Sequence, residues 1–236
     1  MHYLPILSTL ITLVFTIAVL TRYRRKGGVH LLLWGVGLAS YGIGTLTEVI
    51  MLFTFNTLAL KVWYVTGAML TAAWLGQGTV HLLVRRRGVA LSLTALLGAV
   101  SLISLGLILA APVSGAASSF SNSLPVSAQY KEILVRSGGI KVLTILLNIY
   151  GTFTLVGGAL YSAYLFWRKN ILANRLIGNI LIASGALLPA IAGSSLKVGL
   201  ADWLYVSECL GVILMYFGFM LATSGKTVTV AKSVTV

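Results

Sequence analysis

Two carboxylates stand inside otherwise apolar stretches of this 236-residue chain: Glu48 in "SYGIGTLTEVIMLF" and Glu208 in "WLYVSECLGVILMY". An ionised group at the centre of a bilayer costs at least about 2.5 kcal/mol, so each needs a proton, a cation or hydrogen-bond donors to hold it there. That is the chemistry of binding a ligand or of tying helices together. No HExxH, no paired catalytic aspartates, no G-x-S-x-G and no phosphate-cradling loop accompanies them, so nothing in the chain points to an enzyme.

Glu48 and Glu208 each lie some six residues from the same end of their apolar runs, which at 1.5 Å per residue places both roughly 9 Å below one face. Lys141, Thr144 and Asn148, spaced i, i+3, i+7, share one side of a further run and descend to that depth. Ser40, Gly44 and Thr47 share the stripe of Glu48, and Tyr64 and Thr66 lie near the same end of the following run. If these stripes converge, Glu48, Glu208, Asn148, Lys141, Thr144, Tyr64 and Thr66 make a polar pocket open to one side. If they do not, Lys141, tyrosine or serine groups pair the carboxylates and the polar residues tie helices.

A second polar set sits in "AWLGQGTVHLLVRRR". Trp74, Gln77 and His81 fall on one helical face, and Gly76 and Gly78 flank the glutamine, which lets another backbone come close enough for an interhelical hydrogen bond. His30 and His81 lie at similar depth on neighbouring runs. That is the minimum for a bis-histidine haem, or for axial ligation of a chlorophyll-type pigment, but His30 follows directly on "RRKGG" and neither histidine has an accompanying pair. Packing is the expected role of this set, including Ser40 and Gly44, and no cofactor or metal is expected.

The elements that must position these residues are set by composition: 58% of the chain is hydrophobic, 9% is charged and only four residues are acidic. So few charges cannot coat a water-facing surface, and lipid must be the solvent for most of the chain. Seven stretches are long enough to span a bilayer, at about 3–21, 29–54, 62–84, 89–111, 141–167, 176–196 and 202–223. They are continuously apolar rather than alternating, which requires helices and excludes barrel strands. The expected fold is an all-α, polytopic seven-helix bundle. A basic connection, "LLLWGVGLASYGIG" and "VWYV" are echoed by a basic connection, "LIGNILIASGALLP" and "WLYV". The echo suggests a 3+1+3 repeat, although an aromatic belt would place Trp and Tyr there too.

The net charge of +13 comes from short clusters that punctuate apolar runs, a topology signal rather than a nucleic-acid-binding face. Twelve of the seventeen Lys and Arg residues fall on one side of the seven spans and five on the other, which puts the N-terminus outside and the C-terminus in the cytoplasm. The first span is expected to remain rather than be cleaved as a signal peptide. The connection 112–140 is then an outer loop, with "AQYKEILVRS" a short interfacial helix, and serves either as a plain connector or as a lid. The tail 225–236 has no room for an effector domain, so any signal is expected to leave through another chain. Pro189 is expected to kink the sixth span, and Cys209 has no disulfide partner.

At "LWGVGLASYGIGTLTEVIM" and "KVWYVTGAMLTAAWLGQGTVHLLVRRR" the chain resembles the N-terminal seven-helix region of certain bacterial histidine kinases. It is still more similar to small free-standing seven-helix bacterial proteins that share "AWLGQGT". The resemblance implies a bacterial inner-membrane bundle with its N-terminus outside, engaged in sensing or scaffolding, without the kinase. Three expectations follow: a receptor-like module, a structural or accessory subunit of a larger respiratory or photosynthetic complex with other membrane subunits as partners, or a small transporter.

Overall fold

A computed structural model of the chain describes residues 3–168, 173–195 and 202–224. Lys169, Lys197 and the tail 225–236 lie outside the described residues. Seven helices are long and apolar enough to cross a membrane: α1 (Leu4–Lys26), α2 (Val29–Phe53), α3 (Thr57–Leu83), α4 (Arg87–Ala110), α6 (Gly138–Arg168), α7 (Ala173–Ser195) and α8 (Asp202–Thr223). The short helix α5 (Val126–Ile133) lies in the connection between α4 and α6. Among the described residues there is no strand, only one antiparallel bridge, Val113 to Leu134. The chain is a multi-pass helical membrane protein.

Several boundaries move from those read in the sequence. Arg22 to Lys26 form the last helical turn of α1 rather than a loop, and Gly27 (φ 68°) and Gly28 (φ 101°) make the sharp link to α2 in a conformation that glycine adopts without strain,. The third span starts at Thr57, not at 62, because Asn56 caps it: its Oδ1 accepts from the Ala59 amide at 2.9 Å,. The fifth span starts at Gly138, three residues before Lys141.

Burial patterns show why the helices sit where they do. In α1 the buried residues Pro5, Ser8, Thr12, Phe15 and Val19 recur at intervals of three and four, a single stripe facing α2 and α8. Buried residues of α2 run almost all the way round, since it packs between α1 and α3. In α4 only Ala90, Leu97, Ser104 and Ile108 are buried, a narrow seam against α3. The remaining faces are apolar and bare, with Phe153 79% and Leu102 73% exposed, as lipid-facing side chains must be.

The six helices other than α4 close into a ring in the order α1, α2, α3, α6, α7, α8, with α8 returning to α1. Two triples, α1–α3 and α6–α8, thus complete the ring, and α4 stands outside it as a connector, the disposition a 3+1+3 plan requires. Close approaches replace side-chain bulk at the seams. A Cβ on Gly185 of α7 would fall 2.5 Å from the Gly211 carbonyl oxygen of α8, and a Cβ on Gly44 of α2 would fall 2.9 Å from Gly67 Cα of α3. Pro189 lies within α7, which continues through it, and its ring packs on Gly211. Arg24, Arg25 and Lys26, Arg85 to Arg87, and Arg168 all gather at one end of the bundle, opposite the long connection.

Candidate functional site

Glu48 is 1% exposed. Its Oε1 accepts a 2.7 Å hydrogen bond from the indole Nε1 of Trp63 on α3, while Oε2 is buried with no partner. Glu208 on α8 faces the same space, a cavity of about 280 Å³ inside the ring. The hydroxyl of Tyr41 donates to the Glu208 backbone carbonyl at 3.2 Å and pins α2 to α8 beside it. Asn148 of α6 also lines the cavity, as do Thr45, Thr71 and Thr152, and among the described residues no Lys, Arg or His does.

The α3 wall depends on a local irregularity. Between its two α-helical parts, Tyr64–Leu70 is a π-helical segment, a wider turn that absorbs one extra residue and is often found at functional sites. The wider turn keeps Trp63, Gly67, Thr71 and Leu75, each four apart, on one side facing the cavity. It also alters the backbone pairing. Thr66 O, which accepts the Thr71 amide, also takes Thr71 Oγ1 at 2.7 Å, and Asn148 Nδ2 reaches across from α6 to Ala68 O at 2.9 Å.

The connection between α4 and α6 covers the cavity at this end, and Ser127 and Tyr130 of α5 are part of its wall. The cover is fastened at several points. Ser114 Oγ donates to Glu132 O, Asn122 Nδ2 to Leu52 O at the end of α2, and the Val126 amide to the Tyr205 hydroxyl of α8. The Arg136 guanidinium lies 4.8 Å from the Tyr130 ring and 5.7 Å from that of Tyr64, cation–π contacts with two rings that also touch each other,. Burial holds the Tyr130 hydroxyl above the ordinary phenol range, with Arg136 pulling the other way.

Of the seven residues expected to share a pocket, the structure brings together Glu48, Glu208 and Asn148 and leaves out four. Lys141 is exposed in the first turn of α6, too close to the helix end to reach the cavity. Thr144 and Tyr64 bond to one another at 2.9 Å on the far side of α3, where Arg136 Nη1 also meets the Tyr64 hydroxyl at 3.5 Å. Thr66 turns its hydroxyl back to Val62 O at 2.8 Å. Tyr64 and Thr66 stand two residues apart, close to opposite sides of any helix, so α3 cannot turn both to the cavity, and the side it does present carries Trp63 and Gly67,. Lys141 pairs with neither carboxylate.

Gln77 is fully buried, and every polar hydrogen and the carbonyl of its amide is used. Nε2 donates to Ala90 O at 3.0 Å and to Thr94 Oγ1 at 2.8 Å on α4, and the Tyr150 hydroxyl of α6 donates to its Oε1. Thr94 gives its own proton to Ala90 O, so His81 Nε2, 2.7 Å from Thr94 Oγ1, is the donor in that pair. His30 stands edge-on to Trp34, with ring centroids 5.5 Å apart, and neither histidine lines a cavity. Gly76 packs on Gly151 and Thr154 of α6, and Gly78 on Trp34 of α2. Ser40, one turn before the tightly packed Gly44, is only partly buried. The set is packing chemistry, as its sequence suggests. Gln77→Ala should lower unfolding stability in detergent by roughly 2 kcal/mol, three interhelical bonds at about 0.6 kcal/mol each; an unchanged unfolding midpoint would refute this.

A smaller cavity of about 50 Å³, with Trp34, Thr79, Ser162 and Asn179 in its wall, lies nearer the arginine end. Leu75, Leu155 and Met215 border both cavities, so three apolar side chains from α3, α6 and α8 form the floor of the larger one. Trp63, Tyr41, Ser127 and Tyr130 are site residues that the sequence did not single out. Trp63 and Tyr41 had the one available signal, an indole and a phenol within reach of the depth of Glu48 and Glu208.

Compared with protein-family models, with curated proteins and with solved structures, the chain gives no match. What the fold and the site define is a class: a seven-helix multi-pass membrane protein with a polar cavity inside a six-helix ring.

Proposed function

We propose that this chain is a non-enzymatic, receptor-like module of a bacterial cytoplasmic membrane. A small ligand occupies the cavity between α2, α3, α6 and α8 from outside, and the change passes to a partner chain at the arginine-rich face. The observation that supports this most directly is the meeting of Glu48, Glu208 and Asn148, from three helices, in one covered cavity. The Lys and Arg distribution favours an outside N-terminus and hence an outward cavity. Entry requires the α5 cover to lift. Closed, it buries Ser127 Oγ and Arg136 Nε without partners, a desolvation cost of about 1–3 kcal/mol each that opening relieves.

Two measurements test the reading. A reporter fused after Val236 should report from the cytoplasm. In a Cys209→Ser background, Thr152→Cys should react with a membrane-impermeant thiol reagent added outside intact cells. A tail accessible from outside would invert the orientation, and no labelling at residue 152 would remove the outward cavity. The second cavity below the apolar floor favours one other reading, a small transporter. Labelling of the same cysteine from the arginine-rich face in inverted vesicles would replace the receptor by a carrier.

A further inference from the structure

We infer that the cavity takes a protonated primary amine on a small apolar or aromatic body. This inference rests on the proposed ligand cavity and adds the chemistry of its occupant.

The wall of the cavity carries acceptors that receive no donor, beside the hydroxyls of Ser127, Thr152 and Tyr130, which can donate or accept,. Trp63 Nε1 is committed to Glu48 Oε1, the Tyr41 hydroxyl to Glu208 O, Thr45 to Gly42 O and Thr71 to Thr66 O. Both amide hydrogens of Asn148 are used as well, on Ala68 O and Thr144 O at 2.9 Å each. That fixes the orientation of its amide and leaves Oδ1 without a donor. Glu48 Oε2 is buried and unpartnered, and the Glu208 side chain makes no hydrogen bond to a described residue. Glu48, Asn148 and Glu208 thus bring three acceptors from three helices to a cavity with no Lys, Arg or His among its described lining residues.

The group that complements two carboxyls and an amide oxygen at once is a cationic donor. An ammonium is one, with three N–H groups and no acceptor, and charge-assisted bonds to carboxylate are the strong ones. A quaternary ammonium would answer the charge but leave Glu48 Oε2 without a donor. An inorganic cation would leave most of a cavity of about 280 Å³ unfilled, with Trp63, Tyr130, Leu204 and Met215 in its wall. Those side chains suit an apolar or aromatic body, and the rings add cation–π attraction. The volume falls just under the range of about 300–1,000 Å³ usual for ligand pockets, so the body is small.

The test uses the full chain in mild detergent with phenethylammonium as probe, followed by intrinsic tryptophan fluorescence and by thermal midpoint. Phenethyl alcohol serves as the neutral counterpart, and sodium and calcium chlorides as inorganic cations. Phenethylammonium should bind saturably, and phenethyl alcohol about tenfold to a hundredfold more weakly. Glu48→Gln and Glu208→Gln should each weaken the amine by about tenfold or more while leaving the alcohol unchanged. Glu208→Gln is the safer variant, because its carboxyl has no described partner to lose; an apo midpoint equal to that of the parent confirms its fold. Equal affinity for amine and alcohol, or undiminished amine binding by Glu208→Gln, would overturn the amine and leave the cavity standing. Protection by sodium or calcium alone that phenethylammonium cannot displace would also overturn it, in favour of a metal-ion site. If neither organic probe binds, the ligand cavity falls together with the amine.

Discussion

Gly151→Ala should weaken the bundle by more than about 3 kcal/mol, while Gly157→Ala, six residues along the same helix, should be tolerated. A Cβ on Gly151 would meet Ala72 C at 2.2 Å, Ala72 O at 2.4 Å and the Ala73 amide nitrogen at 2.5 Å. All three are backbone atoms, so no rotamer change relieves the clash; α3 and α6 must separate along their whole seam. That separation would also pull Gly76 from Thr154 and Gly158 from Thr79, and would lengthen the bonds of Gln77 to Tyr150 and of Ala68 to Asn148. A Cβ on Gly157 meets nothing within 4 Å, and alanine there removes a poor helix former at a cost in contacts of nil. Unfolding of the two variants in detergent by denaturant or heat decides the matter. A loss of under about 1 kcal/mol for Gly151→Ala would mean that the α3–α6 seam yields more readily than backbone contact allows.

Part of that seam was legible in the sequence: Gly76 beside Gln77 was expected to let another backbone come close, and it packs on Gly151 and Thr154, but that the partner is α6 was not legible. The seven spans and the role of Gln77 were legible as well: lipid imposes long apolar runs, and a buried amide must find partners. Depth was legible too, because a count of residues along a helix is a distance, and Glu48, Glu208 and Asn148 do meet. Rotation about a helix axis was not. Tyr64 and Thr66 lie about 200° apart on a regular helix, so they could not share a face, and nothing in "YVTGAML" shows that the side carrying Trp63 and Gly67 is the one turned to the cavity. The cover was visible only as a connection able to hold a short helix. Which of its residues reach the cavity depends on contacts of Ser127 and Tyr130 with helices far away in sequence.

The site also joins fold to binding in a way that separate residues would not suggest. Trp63, just before the π-helical segment, meets Glu48, and the segment hands Ala68 O to Asn148, so one stretch of α3 both shapes the wall and orients two of its three polar groups. The cover and the floor then bound the cavity along the bundle axis, the cover held by polar contacts and the floor by Leu75, Leu155 and Met215. Polar fastenings open at lower cost than packed apolar side chains. Of these two ends, the side of α5 is therefore the easier to open.

The tie between Trp63 and Glu48 should be visible as a coupling. Trp63→Phe keeps most of the ring, including its packing near Tyr130, where the centroids are 5.2 Å apart, but removes the only hydrogen bond that the Glu48 carboxyl receives from a described residue. A buried carboxyl then has no donor on either oxygen, which should cost about 2–3 kcal/mol of unfolding stability. Glu48→Leu alone should cost less, because the indole N–H it orphans is neutral and borders a cavity. The double variant, Trp63→Phe with Glu48→Leu, should recover most of the loss, since replacing both partners of a buried hydrogen bond by apolar groups is close to neutral. Unfolding free energies of the parent, the two single variants and the double variant in one detergent give the coupling directly. Strictly additive costs would show that Trp63 and Glu48 contribute independently. The carboxyl would then be held by something other than the indole, and the orientation of its free oxygen toward the cavity would lose its cause.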